Sequence, residues 1–256
     1  MTVTAAKLSK WYRRVIGINR LNFEISEGVT GFLGPNGAGK TTLMKLLTGL
    51  LKPSKGKALV DGEDVWNNHT LMRKIGYCPE QDSFRDYQTG FEFVYSLLRM
   101  HGFSGSESEE RTYKALDQTD MQDAAFKRIK GYSKGMRQRI KFAQSIAHEP
   151  DVIFLDEPLN GMDPVGRKET IDCIRDLGKT GKTVIVSSHV LHEVEAMTDT
   201  ILLINHGRLL AQGNIYRIRQ LIDSHPLQVS IRSSNLKKLA RLLIEFEAVQ
   251  SLDLDR

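Results

Sequence analysis

A glycine-rich segment near the N-terminus has the residue types and spacing that bind phosphate. It follows an apolar run over 29–33 and precedes a helical pattern over 42–51. Glycines let successive backbone N–H groups point at phosphate oxygens, and the start of a helix adds the positive end of its dipole. In such a loop, Lys40 reaches the outer phosphates and the Thr41 hydroxyl binds Mg²⁺. The predicted phosphate-binding residues are Gly34, Pro35, Asn36, Gly37, Ala38, Gly39, Lys40, Thr41 and Thr42.

Two acids at the end of an apolar run form a second chemical element. The run Val152–Leu155 predicts a buried strand, and Asp156 and Glu157 follow it directly. At a strand tip, Asp156 is placed to hold Mg²⁺ through water, and Glu157 is placed to polarise an attacking water. Acidic residues are also common at the ends of ordinary core strands. The assignment therefore depends on the phosphate loop as its partner.

The elements that must position these residues alternate in type along the chain. Helical patterns over 137–147 and 165–177 alternate with short apolar strands over 152–155 and 183–186. Asp163 precedes Pro164 as a helix N-cap. Short apolar strands between helices predict a mixed, mainly parallel sheet covered by helices on both faces, which is an α/β fold.

Three other regions differ from this core. Alternating patterns over 15–18, 21–25 and 57–60 predict an N-terminal antiparallel β-subdomain, and 201–204 with 209–211 predict a hairpin. Thr89 is a predicted cap for a helix to about residue 101, and Ser106 with Glu109 forms a predicted capping box for the next helix.

The C-terminal segment predicts part of a βαβ extension. Its pattern is a strand over 227–231, a helix over 234–246 and a strand over 249–254. We therefore expect four regions: 1–88 holds the β-subdomain with the phosphate loop, 89–130 is a helical insertion, 131–224 completes the core, and 225–256 is the extension.

Bulk composition is that of an ordinary globular protein. The 256 residues are 40% hydrophobic and 26% charged, with a net charge of +5. That charge suits a nucleotide, a nucleic acid or a lipid surface and does not choose among them. We expect no membrane span and no signal peptide, because no long uncharged apolar window occurs. Cys78 and Cys173 have no CxxC partner, so we expect reduced thiols.

A third motif makes the chain resemble a known family. Residues 132–136, Tyr-Ser-Lys-Gly-Met, lie at a predicted helix start before the acidic strand. With the phosphate loop (Walker A) and the acidic strand (Walker B), this order is similar to the nucleotide-binding domain of ABC transporters. Ser133 and Gly135 match the family's LSGGQ signature, whereas Lys134 and Met136 depart from it.

Further segments match the same family in the expected order. Residues 160–163 resemble the D-loop, which ends at Asp163. His189, after an apolar strand, resembles the switch histidine that contacts the γ-phosphate. Tyr12 resembles the aromatic residue that stacks on adenine, with Trp11 as a competitor. The Q-loop frame is present, but the sequence leaves Glu80 and Gln81 as alternatives for its Mg²⁺ ligand.

The resemblance implies an ATPase that works as a dimer. Two copies, or this chain and a paralogue, would enclose Mg²⁺–ATP between the phosphate loop of one and the signature of the other. Lys40, Glu157 and His189 would be the catalytic residues. A transmembrane permease subunit would contact the helical insertion and hold the protein at the cytoplasmic face of the membrane.

The subgroup most similar to this chain exports drugs, lipids or polysaccharides. The alternative function is a non-transporter ATPase of this type that acts on ribosomes or DNA. We expect no nucleic-acid partner, because the chain has a single cassette and no coiled-coil array. A GTPase is disfavoured by the lack of an Asn-Lys-x-Asp motif, and an inactive scaffold by the presence of the catalytic residues.

Overall fold

The computed structural model describes residues 1–222 and, beyond them, 231, 233, 235–244, 246 and 249. Two compact units are present, Met1–Ile215 and Tyr216–Arg256. The strands are β1 (Val3–Tyr12), β2 (Val15–Ile25), β3 (Gly28–Leu33), β4 (Lys55–Val60), β5 (Glu63–Asp64), β6 (Ile75–Cys78), β7 (Val152–Asp156), β8 (Thr183–Ser188), β9 (Thr200–Asn205) and β10 (Arg208–Asn214). The helices are α1 (Lys40–Leu47), α2 (His69–Met72), α3 (Gly90–His101), α4 (Gly105–Gln118), α5 (Lys134–Ile146), α6 (Pro164–Lys179), α7 (Leu191–Met197), α8 (Ile215–Ile222) and α9 (Leu236–Ile244), with a 3₁₀ turn at Ile129–Gly131.

The larger sheet places the chemical residues at one edge. Its order is β10-β9-β3-β8-β7-β6, and all neighbouring pairs are parallel except β9 with β10. The predicted strands and the hairpin of this sheet are confirmed. Because parallel strands end at the same edge, the segments that follow β3, β7 and β8 meet there. These segments carry the phosphate loop, Glu157 and His189.

The smaller sheet is antiparallel, with the order β2-β1-β4-β5. The two strands expected over 15–18 and 21–25 are one continuous strand, β2. Its register against β1 shifts between the pairs Leu8–Leu21 and Lys10–Ile18, and Arg20 has a φ of 50°. The local irregularity explains why the sequence pattern is interrupted there although the strand continues.

Helix α1 lies between the two sheets, and the helices α3 to α6 pack on the opposite face of the larger sheet. Phe154 of β7 packs in the same core as Leu43 of α1 and residues of β1 and β2. Its neighbours Ile153 and Leu155 pack with the helices α3 to α6. The side chains of β7 alternate between two apolar cores, and every residue of this strand is buried.

In the helical insertion, one of the two predicted helix caps differs from the observed one. Thr89 caps α3 as predicted, in a capping box with Glu92. The box expected at Ser106 and Glu109 is wrong, because the N-cap of α4 is Ser104 and the helix begins at Gly105, two residues earlier than expected. Ser104 accepts from the Glu107 N–H, and the Glu107 carboxylate accepts from the Ser104 N–H. Both pairs fit the same four-residue pattern, and the overlap misled the sequence analysis.

In the second unit, the helix expected over 234–246 is present as α9. The strands expected over 227–231 and 249–254 fall outside the described residues, apart from 231 and 249, which lie in neither strand nor helix.

No helix in the described part of the chain is long and apolar enough to cross a bilayer. Both cysteines are free, and burial raises the pKa of Cys78 to about 12 and that of Cys173 to about 11.

A partly buried histidine, His148, makes the stability of the fold depend on pH. The His148 ring donates to the Ile75 carbonyl at 3.2 Å and stacks on His101. Burial, and then the charge of His101, lower the pKa of His148 from 6.5 to about 4. Between these values the unfolded chain takes up a proton that the folded protein excludes, so the free energy of unfolding falls as the pH falls.

We predict that this loss reaches about 3 kcal/mol near pH 4. Chemical denaturation of wild type and His148→Gln at pH 7 and 4.5 measures it, and the variant should show a shallower pH dependence. The exposed His69 supplies a control, since His69→Gln should keep the wild-type slope. Equal slopes for all three proteins would contradict the assignment.

Candidate functional site

The phosphate loop joins β3 to α1 and depends on its glycines. Gly37 and Gly39 have φ values of 80° and 105°, in the left-handed region that other residues rarely adopt. A Cβ at Gly34 would lie 2.1 Å from the Ile204 carbonyl oxygen of β9. Gly39 is the N-cap of α1, so the positive end of this helix faces the loop.

Lys40, the first residue of α1, points back into this loop. Its ammonium donates to the carbonyl oxygens of Gly34 at 2.8 Å and Pro35 at 3.4 Å. It also lies 3.3 Å from Glu157 Oε1, and the two side chains are only 6% and 9% exposed. The charge of Lys40 is therefore held at the sheet edge by one carboxylate and two carbonyls.

Glu157 contacts the third predicted catalytic residue as well. Its two carboxylate oxygens lie 3.1 and 3.0 Å from His189 Nδ1. Glu157 itself has a φ of 50°, so its backbone turns sharply after β7. The structure thus brings Lys40, Glu157 and His189 into one contiguous cluster, and Thr41 and Thr42 follow Lys40 in the first turn of α1.

Asp156 has one oxygen bound and one buried oxygen without a partner. Oδ1 accepts from the Ser187 hydroxyl at 2.6 Å. In the part of the chain that the structure describes, Oδ2 is buried and has no hydrogen-bond partner. A carboxylate oxygen of this kind, together with the Thr41 hydroxyl in the first turn of α1, would supply the hard oxygen ligands that Mg²⁺ prefers.

The Q-loop segment follows β6 and is bound to α5. Glu80 and Gln81 are both exposed. Lys141 of α5 donates to the Glu80 carbonyl at 2.7 Å and pairs with Asp82 at 3.0 Å. Burial raises the pKa of the neighbouring Tyr77 hydroxyl, and the Asp156 and Glu80 carboxylates contribute to the increase. The Glu80 carboxylate is therefore electrostatically coupled to the same hydroxyl as Asp156.

The two aromatic candidates for the base lie in different surroundings. Tyr12, at the end of β1, is 45% exposed, and its hydroxyl lies 3.5 Å from Thr42 Oγ1. The Trp11 ring instead lies under the Lys55 ammonium, on the side of β4. Tyr12 is the ring that borders the phosphate loop.

The signature segment contacts the D-loop segment. Ser133 is the N-cap of α5 and accepts from the Met136 N–H at 3.2 Å. A Cβ at Gly135 would lie 3.6 Å from the Gly161 carbonyl oxygen. Lys134 donates to Asn160 Oδ1 at 3.4 Å. Asp163 occupies the N-cap position of α6 as predicted, but its side chain makes no capping hydrogen bond.

Three residues at the site were missed by the sequence analysis. Ser187 contacts both acids, Gln138 donates to the Glu157 carbonyl, and Tyr77 lies beside Asp156. The signal for Ser187 is a polar residue at the end of a fully buried strand, two positions before His189. Gln138 and Tyr77 lack such a signal, because their roles depend on contacts across long stretches of chain.

A glycine loop between a parallel strand and a helix, facing an acid-tipped strand, defines a P-loop nucleotide-binding fold. Solved structures of ABC cassettes share it. The ATP-binding subunit of an ABC transporter has a TM-score of 0.78 at 24% identity, over 96% of this chain and 100% of that chain. The dimeric bacterial cassette MJ0796 has a TM-score of 0.78 at 22% identity, over 83% and 98%. At such identities the likeness shows the fold.

The sequence comparisons show the family. The model described as ABC transporter matches residues 18–160. The uncharacterised ABC transporter ATP-binding protein all4389 of Nostoc is 37% identical, over 83% of this chain and 66% of its own length. DrrA of Streptomyces peucetius, a daunorubicin/doxorubicin resistance ATP-binding protein, is 34% identical over 96% and 75%. BcrA of Enterococcus faecalis, a bacitracin transport ATP-binding protein, is 35% identical over 85% and 71%.

This chain belongs to the ABC transporter family, in which it is an ATP-binding subunit. The chain spans about two thirds to three quarters of the length of these three relatives. The predicted fold class is confirmed by the cassette structures.

The Lys40–Glu157 pair has a consequence for stability. Removing one partner of a buried ion pair leaves the other charge uncompensated, which costs about 3–5 kcal/mol, whereas removing both costs much less. We predict that Lys40→Met destabilises the fold by about 3 kcal/mol and that Glu157→Gln, added to it, restores a large part of this loss. Urea denaturation of both single variants and the double variant measures the coupling. Additive losses would show that the pair is not a stabilising contact.

Proposed function

We propose that two such subunits close around ATP and hydrolyse it, and that this cycle drives transport by a separate membrane permease. The observation that carries the proposal is the cluster of Lys40, Glu157 and His189 at the end of the phosphate loop. A cation, a carboxylate and an imidazole at one sheet edge match the needs of phosphoryl transfer, which depends on positioning and charge neutralisation.

Each residue has a proposed role. The loop residues Gly34 to Thr42 bind the phosphates, and Tyr12 stacks on the base. Glu157 accepts the proton of the attacking water, and His189 contacts the γ-phosphate and keeps the Glu157 carboxylate in place. Asp156 and Thr41, with Glu80 or Gln81, hold Mg²⁺, which neutralises charge on the phosphate oxygens.

The lysine has two possible partners. In the structure its ammonium pairs with Glu157, and an ATP phosphate would compete for the same charge. Binding of ATP thereby releases the Glu157 carboxylate, which is free to act as a base. The proposed mechanism couples occupancy of the loop to readiness of the base.

The signature completes the site from a second copy or a paralogue. Ser133 and Gly135 lie at the N-terminus of the 13-residue helix α5, whose dipole favours an anion. Gly135 and the neighbouring Lys134 lie against the D-loop segment, where Asp163 would contribute to the same interface. Since ATP binds the closed pair better than the open subunits, it shifts the equilibrium toward closure.

We divide the chain into four functional regions, 1–88, 89–130, 131–224 and 225–256. The permease would contact the second of these, the helical insertion, and would hold the protein at the cytoplasmic face of the membrane. We propose export as the direction, because DrrA and BcrA are named for drug resistance and bacitracin transport. These names support transport over an action on ribosomes or DNA, and nucleic acid is not among the proposed partners.

The role of Glu157 gives the first functional prediction. Glu157→Gln should lower the ATPase rate of the purified subunit with its permease by about 100-fold or more, because a general base contributes about that much. Binding of ATP should persist, since the loop and Lys40 are unchanged. Phosphate release and equilibrium binding measure the two quantities, with Glu63→Gln as a control at an exposed site. Wild-type turnover in Glu157→Gln would refute the base assignment.

The signature residue Ser133 gives the second functional prediction. Ser133→Arg should abolish hydrolysis and leave ATP binding by each subunit within about twofold of wild type, because the serine would act on the nucleotide of the other copy. Ser104→Arg is the matched control, since it removes an equivalent N-cap from α4. Loss of binding by isolated Ser133→Arg subunits would argue against the shared site.

A further inference from the structure

The peptide of Glu157 is held by side chains on both of its sides. Its N–H donates to the Ser187 hydroxyl at 2.9 Å, and its carbonyl accepts from Gln138 Nε2 at 3.1 Å. These two side chains come from β8 and α5, which are separate in sequence. Both are buried, Ser187 at 0% exposure and Gln138 at 4%. The backbone orientation of Glu157 is thus fixed by two contacts from different elements.

The Ser187 hydroxyl also orients the adjacent acid. Ser187 is the register partner of Asp156 in the parallel β7–β8 pair. Its Oγ donates to Asp156 Oδ1 at 2.6 Å while it accepts from the Glu157 N–H. The single hydroxyl therefore uses its proton on one acid and a lone pair on the peptide of the next. With Oδ1 bound in this way, Oδ2 is the oxygen of Asp156 that stays available to a cation.

These contacts have to overcome a backbone preference. Glu157 has a φ of 50°, in the left-handed region that non-glycine residues adopt infrequently and at a cost in free energy. If the two contacts were lost, the peptide would be free to return toward the right-handed region. That rotation would swing the Cα–Cβ bond and carry the carboxylate away from Lys40 and His189.

We propose that Ser187 is a positioning residue for ATP hydrolysis, with Gln138 as its counterpart on the other side of the Glu157 peptide. The proposal rests on the proposed role of Glu157 as the base. Within the described residues, the Ser187 hydroxyl forms hydrogen bonds with Asp156 and with the Glu157 N–H, and none with Lys40 or the phosphate loop. It therefore acts on hydrolysis through the positions of these two acids. Its effect should accordingly fall on the chemical step and not on nucleotide affinity.

The test compares kcat with KM in the subunit purified with its permease. Ser187→Ala should lower kcat by about 100-fold, the scale expected when a catalytic group is misplaced by about 1 Å. KM and the dissociation constant for ATP should stay within about twofold of wild type, and Ser187→Thr, which keeps the hydroxyl, should recover most of kcat. Ser145→Ala is the matched control, because its buried hydroxyl donates to Phe142 within α5; its kcat should match wild type.

Non-additivity separates positioning from a general loss of structure. In a Glu157→Gln background, Ser187→Ala should cause a much smaller further loss of kcat, since the Glu157 carboxylate is already disabled and only the contact with Asp156 Oδ1 is left to lose. Gln138→Met, which removes the amide donor at similar length, should lower kcat with unchanged ATP affinity. This variant also serves if Ser187→Ala fails to fold.

Two results would overturn the proposal: wild-type kcat in Ser187→Ala, or equal losses of kcat in the presence and absence of the Glu157 carboxylate. A third result would bear on the proposed role of Glu157 as the base. If Glu157→Gln itself turns over normally, the base assignment fails, and with it the premise for Ser187. The Glu157→Gln measurement thus distinguishes failure of the proposed function from failure of this inference.

Discussion

The buried ion pair between Lys40 and Glu157 is the contact on which the site depends. Two opposite charges on side chains that are less than 10% exposed are stable only when each compensates the other and further hydrogen bonds replace the lost contacts with water. Two loop carbonyls complete the shell of the lysine, and His189 completes that of the glutamate. The parallel sheet makes this possible, because the ends of β3, β7 and β8 bring three distant segments together.

Helix α5 links the remaining motifs to this pair. It begins at the signature, holds the Glu157 carbonyl through Gln138, and holds the Q-loop through Lys141. Lys141 is 3% exposed, so its contact with the Glu80 carbonyl is protected from solvent. A displacement of α5 would therefore move the Glu157 carbonyl and the Q-loop at the same time, because the helix is hydrogen-bonded to both. This arrangement gives a physical route between closure of the dimer, which would act on the signature, and the acids.

Much of the fold and the site could be predicted from the sequence. The phosphate loop, β7 and β8 were predictable because short-range signals define them: closely spaced glycines before a lysine, four apolar residues before two acids, and β-branched runs. The continuity of β2 was not, since a bulge interrupts its pattern. The cap of α4 failed because two overlapping Ser-x-x-Glu patterns compete there. Ser187 and Gln138 were missed because their roles depend on strand register and helix packing across the chain.

A structure of the subunit with Mg²⁺ and a non-hydrolysable ATP analogue tests most directly whether ATP displaces Glu157 from Lys40. The quantity to measure is the distance from Lys40 Nζ to Glu157 Oε1, which is 3.3 Å here. We expect the lysine to move to a phosphate oxygen, so that this distance exceeds about 4 Å, the limit of an ion pair. A lysine still paired with Glu157, and nucleotide bound away from the loop, would contradict it.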